Sequence, residues 1–278
     1  MTETAATYPV TSIDDGRIGV YRNLKDRELA RLEGRFIAEG EMVVRRLLAS
    51  RYAAESLLVA ERQLAKILPF VPQDVPVYVA PPDLLSAIIG FNFHLGIIAC
   101  GRRGEGPALD EAVVGLPPHA TAVVLSEITK PDNMGALLRI SSAFGADVVI
   151  AGQDCCDAFY RESIRVSMGT IFSLNLVRSP DLPADVARLK AAHGFETVGA
   201  VLAEGAVPLA QARRSPRTAL MFGNEAQGLR PGLADLCDRK VVIPMQLGTD
   251  SLNVAVAAAV FLYHYTQVED AGEMPATR

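Results

Sequence analysis

From residue 121 to about 266, short apolar runs alternate with helical stretches. The runs are Ala122–Leu125, Val148–Ala151, Leu174–Val177, Thr197–Val201, Ala219–Phe222 and Val241–Ile243. Strands separated by helices do not pair as hairpins; each needs a crossover, which gives a parallel sheet covered on both faces. In such a sheet ligands sit beyond the carboxyl ends of the strands. Candidate functional residues are therefore those in loops that directly follow strands.

The first half reads as a separate, smaller α/β unit. Residues 1–19 are polar, have little periodicity and read as a flexible tail. Asn23 is placed to cap a helix to about Leu32, Arg35–Ala38 reads as a strand, and Glu41–Leu48 as a helix with Val43, Val44, Leu47 and Leu48 on one face. Ser56–Ala60, Val75–Ala80 and Leu95–Cys100 read as strands. Gly101-Arg-Arg-Gly-Glu-Gly-Pro and Gly115-Leu-Pro-Pro-His interrupt regular structure. The expected boundaries are a tail at 1–19, a small domain at 20–103, a linker at 104–120, a large domain at 121–270 and a tail at 271–278.

With aromatics at 6% and no Trp, the core must be built mainly from Ala, Val, Leu and Ile. The formal charge of −5 argues against non-specific coating of nucleic acid, although a local basic surface suffices for RNA. Tyr21–Lys66 carries ten Lys/Arg against seven Asp/Glu; a solvated helix surface gives the same slight excess. Cys100, Cys155, Cys156 and Cys237 have no CxxC spacing, which suits free thiols in a reducing cytoplasm rather than a zinc site. The N-terminus lacks the basic and apolar regions of a signal peptide, and no apolar run approaches the roughly 20 residues that span a bilayer. A cytoplasmic protein is expected.

Three segments stand just after strands. Thr129-Lys-Pro-Asp-Asn-Met-Gly-Ala-Leu-Leu-Arg139 opens a helix, with Asp132 or Asn133 placed to cap it and Gly135 allowing close backbone approach; a capped helix with a surface arginine leaves the same pattern. In Leu220-Met-Phe-Gly-Asn-Glu-Ala-Gln-Gly-Leu229 a strand ends at Gly223 and a carboxylate follows at Glu225; a strand–helix turn with a dipole-facing carboxylate looks alike. In the third, a strand runs through Ile243 into Pro244 and Met245, and Ser251-Leu-Asn253 heads a helix apolar nearly all round, so that helix is buried in a core or a subunit interface. The dinucleotide GxGxxG, the phosphate-binding loop, HExxH and GxSxG are all missing.

Taken in order, the segments resemble the motifs of the SpoU/TrmH family of RNA 2′-O-methyltransferases: N-x-G-x-x-x-R at Asn133, Gly135 and Arg139; G-x-E-x-x-G at Gly223, Glu225 and Gly228; and I-P-M at Ile243–Met245 followed by Ser251-Leu-Asn-Val-Ala-Val-Ala257. Arg165, Ser167 and Gly169 resemble an intermediate stretch of these enzymes. Arg22-Asn-Leu-Lys-Asp-Arg-Glu, Phe36-Ile-Ala-Glu-Gly-Glu41 and Leu47-Leu-Ala-Ser50 resemble the small substrate-binding domain often found ahead of the catalytic one, similar in fold to a ribosomal protein that binds kinked RNA.

The resemblance implies a SPOUT fold: a mostly parallel sheet with helices on both faces and a C-terminal trefoil knot, preceded by a small α/β RNA-binding domain. It implies S-adenosylmethionine as cofactor, no metal, a homodimer with the site near its interface, and a structured RNA substrate, ribosomal in preference to transfer RNA. Arg139 would stand at the 2′-hydroxyl. Because a guanidinium keeps its proton, electrostatic stabilisation and phosphate anchoring suit it better than base catalysis. Asn133 and Glu225 would organise the site, and Ser251 and Asn253 would orient Arg139 or the substrate. Gly223, Ile243, Met245, Leu252 and Leu202 would meet the cofactor, largely through backbone. Lys130 departs from the family, which usually has an acid before this proline. Two rivals are a non-catalytic RNA-binding protein that has kept the fold and a nucleotide-dependent small-molecule enzyme; the intact polar residues disfavour the first and the missing phosphate loop the second.

Overall fold

The structure is a computed structural model that describes residues 4–22, 34–247 and 251–268. The elements run β1 (Thr7–Pro9), β2 (Arg35–Glu39), α1 (Glu41–Leu48), β3 (Ala53–Ala60), α2 (Leu64–Ile67), β4 (Val77–Ala80), α3 (Pro82–Ile89), β5 (Ile97–Arg102), α4 (Leu109–Val113), β6 (Ala120–Leu125) and α5 (Pro131–Ala143). They continue with β7 (Val148–Ala151), α6 (Arg161–Val166), β8 (Leu176–Arg178), α7 (Leu182–His193), β9 (Glu196–Ala200), β10 (Val207–Pro208), β11 (Arg217–Phe222), α8 (Pro231–Ala234), β12 (Arg239–Val242) and α9 (Val254–Tyr263). The chain divides into two units, Met1–Glu105 with Asp157–Ser173, and Gly106–Cys156 with Leu174–Arg278.

The first unit holds a mixed sheet in the order β1-β4-β3-β5-β2, with β5 antiparallel to both β3 and β2. Helix α1 forms where the sequence places it. It buries Val43, Val44 and Leu47, with Glu41 in its first turn and Arg45 and Arg46 in its last, each sign complementing the helix dipole. Tyr21, fully buried, donates its hydroxyl proton to the Ser56 carbonyl at 2.8 Å and accepts from the Cys100 N–H at 3.2 Å.

The second unit holds a sheet in the order β10-β12-β9-β11-β6-β7-β8, parallel at every pairing. The expected doubly covered parallel sheet is therefore present. Val124, Ile150, Ala219 and Met221 of the strands pack in one core with Leu182, Val186 and Leu189 of α7. That helix is capped by Asp181, which accepts from the Ala184 N–H at 3.2 Å, and closed by left-handed Gly194. On the path after β12, α9 packs against α5 and β11. No helix among the described residues is long and apolar enough to cross a membrane.

The structure departs from the expected boundaries in three places. The stretch read as a flexible tail carries β1, paired in parallel with β4, and Ala5, Val10 and Ile18 are buried. Its polar character hid this, because all three β1 side chains are exposed on an edge strand. The expected linker contains α4, whose Leu109, Ala112 and Val113 join the core of the second unit. And Asp157–Ser173 belongs to the first unit although its flanking strands belong to the second. Phe159 and Phe172 lie 5.3 Å from the Phe36 ring, Arg103 pairs with Asp157 at 2.7 Å, and Arg161 pairs with the buried carboxylate of Glu39 at 2.5 Å. Arg165, Ser167 and Gly169 sit in this segment, so they stand with the first unit. The helix expected from Asn23 and the tail at 271–278 lie outside the described residues.

Candidate active site

Three loops meet beyond the carboxyl ends of β6, β11 and β12. The first leaves β6 through Ser126 and Glu127 and enters α5. Lys130 is the N-cap with extended backbone and no capping side chain, and Pro131 occupies the first helical position, where its missing N–H costs nothing. Neither Asp132 nor Asn133 caps the helix, contrary to expectation; Asn133 is buried and its side chain is engaged elsewhere.

Asn133 is the hub of the site. Its Nδ2 donates to the Glu225 carboxylate, and its Oδ1 accepts from Asn253 Nδ2 at 3.0 Å. Asn253 in turn caps α9, its Oδ1 accepting from the Ala255 N–H at 2.9 Å. One side chain from each of the three sequence segments thus joins a single hydrogen-bonded chain. Asn253 thus caps its helix and also joins this chain, roles that the sequence left side by side. Of the two partners the resemblance implied for Asn253, Arg139 or the substrate, Arg139 is not hydrogen-bonded to it among the described residues; the Asn253 side chain donates to Asn133.

The second loop is braced from within. Gly223 lies so close to the Gly228 carbonyl that a Cβ on it would come within 2.2 Å of that oxygen. The absent side chain is thus required by the loop's own backbone, not only by a ligand. Asn224, which sequence reasoning passed over, closes the turn: its Oδ1 accepts from the Ala226 and Gln227 N–H groups at 2.9 and 3.3 Å, and its Nδ2 donates to the Glu127 carbonyl at 3.1 Å. An Asn directly before a Gly-ended polar turn was the available signal. Glu127 itself has a left-handed φ of 54°. Its carboxylate binds Arg230, whose pKa is raised by that hydrogen bond, so the β6–α5 and β11–α8 loops are tied twice.

A cavity of about 630 Å³ opens against these loops. Gly223, Ile243, Met245, Leu252 and Leu202, the five residues expected at the cofactor, all line it, together with Glu225 and Ser251. Val254, Ala257 and Phe261 of α9 also contribute, a use of the apolar helix that periodicity did not reveal. The volume falls within the range of about 300–1,000 Å³ of small-molecule sites. Leu202, Ile243 and Leu252 offer apolar surface to a flat ring, and the Glu225 carboxylate offers a negative charge to a cationic centre; both suit an adenosyl sulfonium. Ser251 is exposed and Arg139 is exposed on α5, and neither side chain has a hydrogen-bond partner among the described residues. Arg139, Asn133 and Asn253 do not line the cavity. No group of three His, Cys, Asp or Glu among the described residues is arranged to hold a metal ion.

Comparison with known proteins gives a consistent picture. Residues 120–263 match the SpoU rRNA Methylase family. An uncharacterized tRNA/rRNA methyltransferase of Mycobacterium tuberculosis is 34% identical over 262 residues, covering 91% of this chain and 90% of that protein. The 23S rRNA (guanosine-2′-O-)-methyltransferase RlmB of Acinetobacter baylyi is 32% identical over 208 residues, 73% of this chain and 83% of that one. Among solved structures, the SpoU methyltransferase AviRb from Streptomyces viridochromogenes, in complex with AdoMet, superposes with a TM-score of 0.77 at 26% identity, covering 93% of this chain and 100% of that one.

Proposed function

We propose, for a chain that belongs to the SpoU rRNA methylase family, S-adenosylmethionine-dependent methylation of a ribose 2′-hydroxyl in ribosomal RNA. The observation that carries this reading is the Asn133 hub, which joins all three segments beside a cavity walled by the five residues expected at the cofactor. The RlmB relative is named for this reaction on 23S rRNA.

When bound, S-adenosylmethionine supplies an electrophilic methyl group on a sulfonium. The chain's own task is alignment, since holding two reactants in line removes much of the barrier. Asn133 fixes the Glu225 carboxylate at the cavity wall, where it favours a positive charge. Gly223, Ile243, Met245, Leu252 and Leu202 enclose the cofactor and keep water from it. Arg139 stabilises the oxygen as it loses its proton and anchors a neighbouring phosphate. Ser251 orients the substrate. The guanidinium keeps its own proton, so the hydroxyl proton passes to solvent water, to which Arg139 is exposed.

The same reading includes the trefoil knot, a cytoplasmic location and a homodimer. The dimer is supported by α9: Val256, Val260 and Tyr263, spaced along one helical face, are 50, 40 and 55% exposed. Helix α5, which carries Arg139, packs beside it, so the site would stand near the interface. Residues of the first unit would bind the RNA.

A non-catalytic RNA-binding protein would have no need of the Glu225–Asn133–Asn253 chain. The deciding experiment is to incubate the protein with labelled S-adenosylmethionine and unmodified 23S rRNA or transfer RNA, then map ribose methylation. Label in ribosomal RNA at a 2′-oxygen is expected; no ribose label in either RNA would refute the reading.

A further inference from the structure

The face of the first unit formed by α1, α2 and the loop before β5 combines exposed apolar side chains with uncompensated positive charge. Met42, Phe70 and Leu95 are 53, 48 and 48% exposed. Their neighbours link them: the Leu95 side chain lies against Gly40 at the head of α1, Gln63 reaches the Leu95 carbonyl and Arg62 the His94 carbonyl, and Arg45 spans from α1 to the Lys66 carbonyl at 3.1 Å.

Phe70 is the centre of this face. The Arg45 guanidinium lies 3.9 Å from the Phe70 ring centroid and is itself pinned by Glu41 at 2.7 Å. A fixed cation therefore backs a ring that remains half open to solvent. On the same face, Arg62 and Lys66 make no ion pair among the described residues, Arg46 donates to the Met168 carbonyl at 2.6 Å, and of the acids Glu41 and Glu61 the first is already paired with Arg45. An open aromatic ring among unpaired cations matches a single nucleic-acid strand, whose bases stack and whose phosphates need cations. A duplex offers no free base face.

We propose that this face binds an unpaired stretch of the RNA substrate, one base stacking on Phe70 while Arg62 and Lys66 meet the flanking phosphates. The proposal rests on the reading that RNA is the substrate and adds where its single-stranded part is held.

The test uses the full chain and two fluorescein-labelled probes, an RNA hairpin with a wide unpaired loop and a blunt RNA duplex of equal length, followed by anisotropy over a range of salt. Phe70→Ala should weaken hairpin binding about tenfold, with the salt slope unchanged and duplex binding little altered. Phe70→Trp should restore affinity. Lys66→Gln and Arg62→Gln should each lower the salt slope by roughly one. Thermal melting and S-adenosylhomocysteine affinity should match wild type in every variant. Unchanged hairpin affinity in Phe70→Ala, the result expected if a protein occupies this face, would overturn the proposal, as would equal weakening for hairpin and duplex. If Phe70→Ala melts early, the two charge variants decide: unaltered salt slopes in both also overturn it. Wild type that methylates ribosomal RNA alongside an indifferent Phe70→Ala refutes this face alone; wild type that methylates no RNA refutes the functional reading.

Discussion

Asn253 donates its Nδ2 hydrogen to the Oδ1 of Asn133 at 3.0 Å, across 120 residues of sequence. With Asn133 Nδ2 given to Glu225, the amide of Asn133 is used at both ends, which fixes its orientation. A carboxylate in its place could accept from Asn253 but could not donate to Glu225.

Asn133→Asp is therefore expected to place two carboxylates against each other and to slow single-turnover methyl transfer roughly 10–150-fold, the equivalent of losing a charge-assisted hydrogen bond of about 1.5–3 kcal/mol. Repulsion raises the pKa of one carboxyl of the pair, so activity should recover as pH falls and the introduced carboxyl regains a proton to donate. A wild-type rate at neutral pH would show that the hub is dispensable.

Arg139→Ala should leave S-adenosylhomocysteine affinity, measured by calorimetry, within twofold of wild type (about 0.4 kcal/mol), because Arg139 does not line the cavity. Methyl transfer should fall about 100-fold or more, and Arg139→Lys should recover part of it. A loss of cofactor affinity that matches the loss of rate would remove Arg139 from its assigned place at the substrate.

Gly223→Ala sets a Cβ against the Gly228 carbonyl at 2.2 Å, so the loop that presents Glu225 must open. Destabilisation of about 1–3 kcal/mol is expected, with cofactor binding lost. Gly232→Ala is the control: nothing lies within 4 Å of a Cβ there, and denaturant melting should be unaffected. Equal behaviour of the two variants would contradict the close approach.

Arg161→Met leaves the Glu39 carboxylate, 4% exposed, without its partner. Breaking such a pair costs roughly 3–5 kcal/mol, and Glu39→Met with Arg161→Met should regain most of it. Removal of residues 1–105 alone should yield an aggregating protein, since Phe159 and Phe172 lose Phe36 and Tyr52. Replacing 157–173 by a short polar linker should restore solubility, read by gel filtration.

Val256→Asp, on the exposed apolar stripe of α9, should convert a dimer to a monomer in light scattering. An unchanged mass, or a wild type that is already monomeric, would refute the proposed dimer across α9.

Much of this was legible in the sequence because it depends on local pattern. The run Glu41–Leu48 is a helix to the residue, and Val148–Ala151 is a strand to the residue. The residues expected at the cofactor were legible only through family likeness, and one cavity is lined by all five. What escaped was non-local. Nothing near Thr7 announces that its strand pairs with one seventy residues later. The membership of Asp157–Ser173 in the first unit is set by aromatic and ionic contacts more than a hundred residues away in the chain. Asn224 was missed because its neighbours Gly223 and Glu225 carry the motif, while its own work is to hold backbone.

Because Asp157–Ser173 completes a unit that begins at the N-terminus, order of synthesis matters. A chain leaving the ribosome reaches residue 156 with β6 and β7 already made, yet its first sheet still lacks the partners of Phe36 and Glu39. Apolar surface on the early half then stays open to chaperones until residue 173 has emerged. The first unit therefore completes its packing only after β6 and β7 of the second have been made, once residue 173 has emerged.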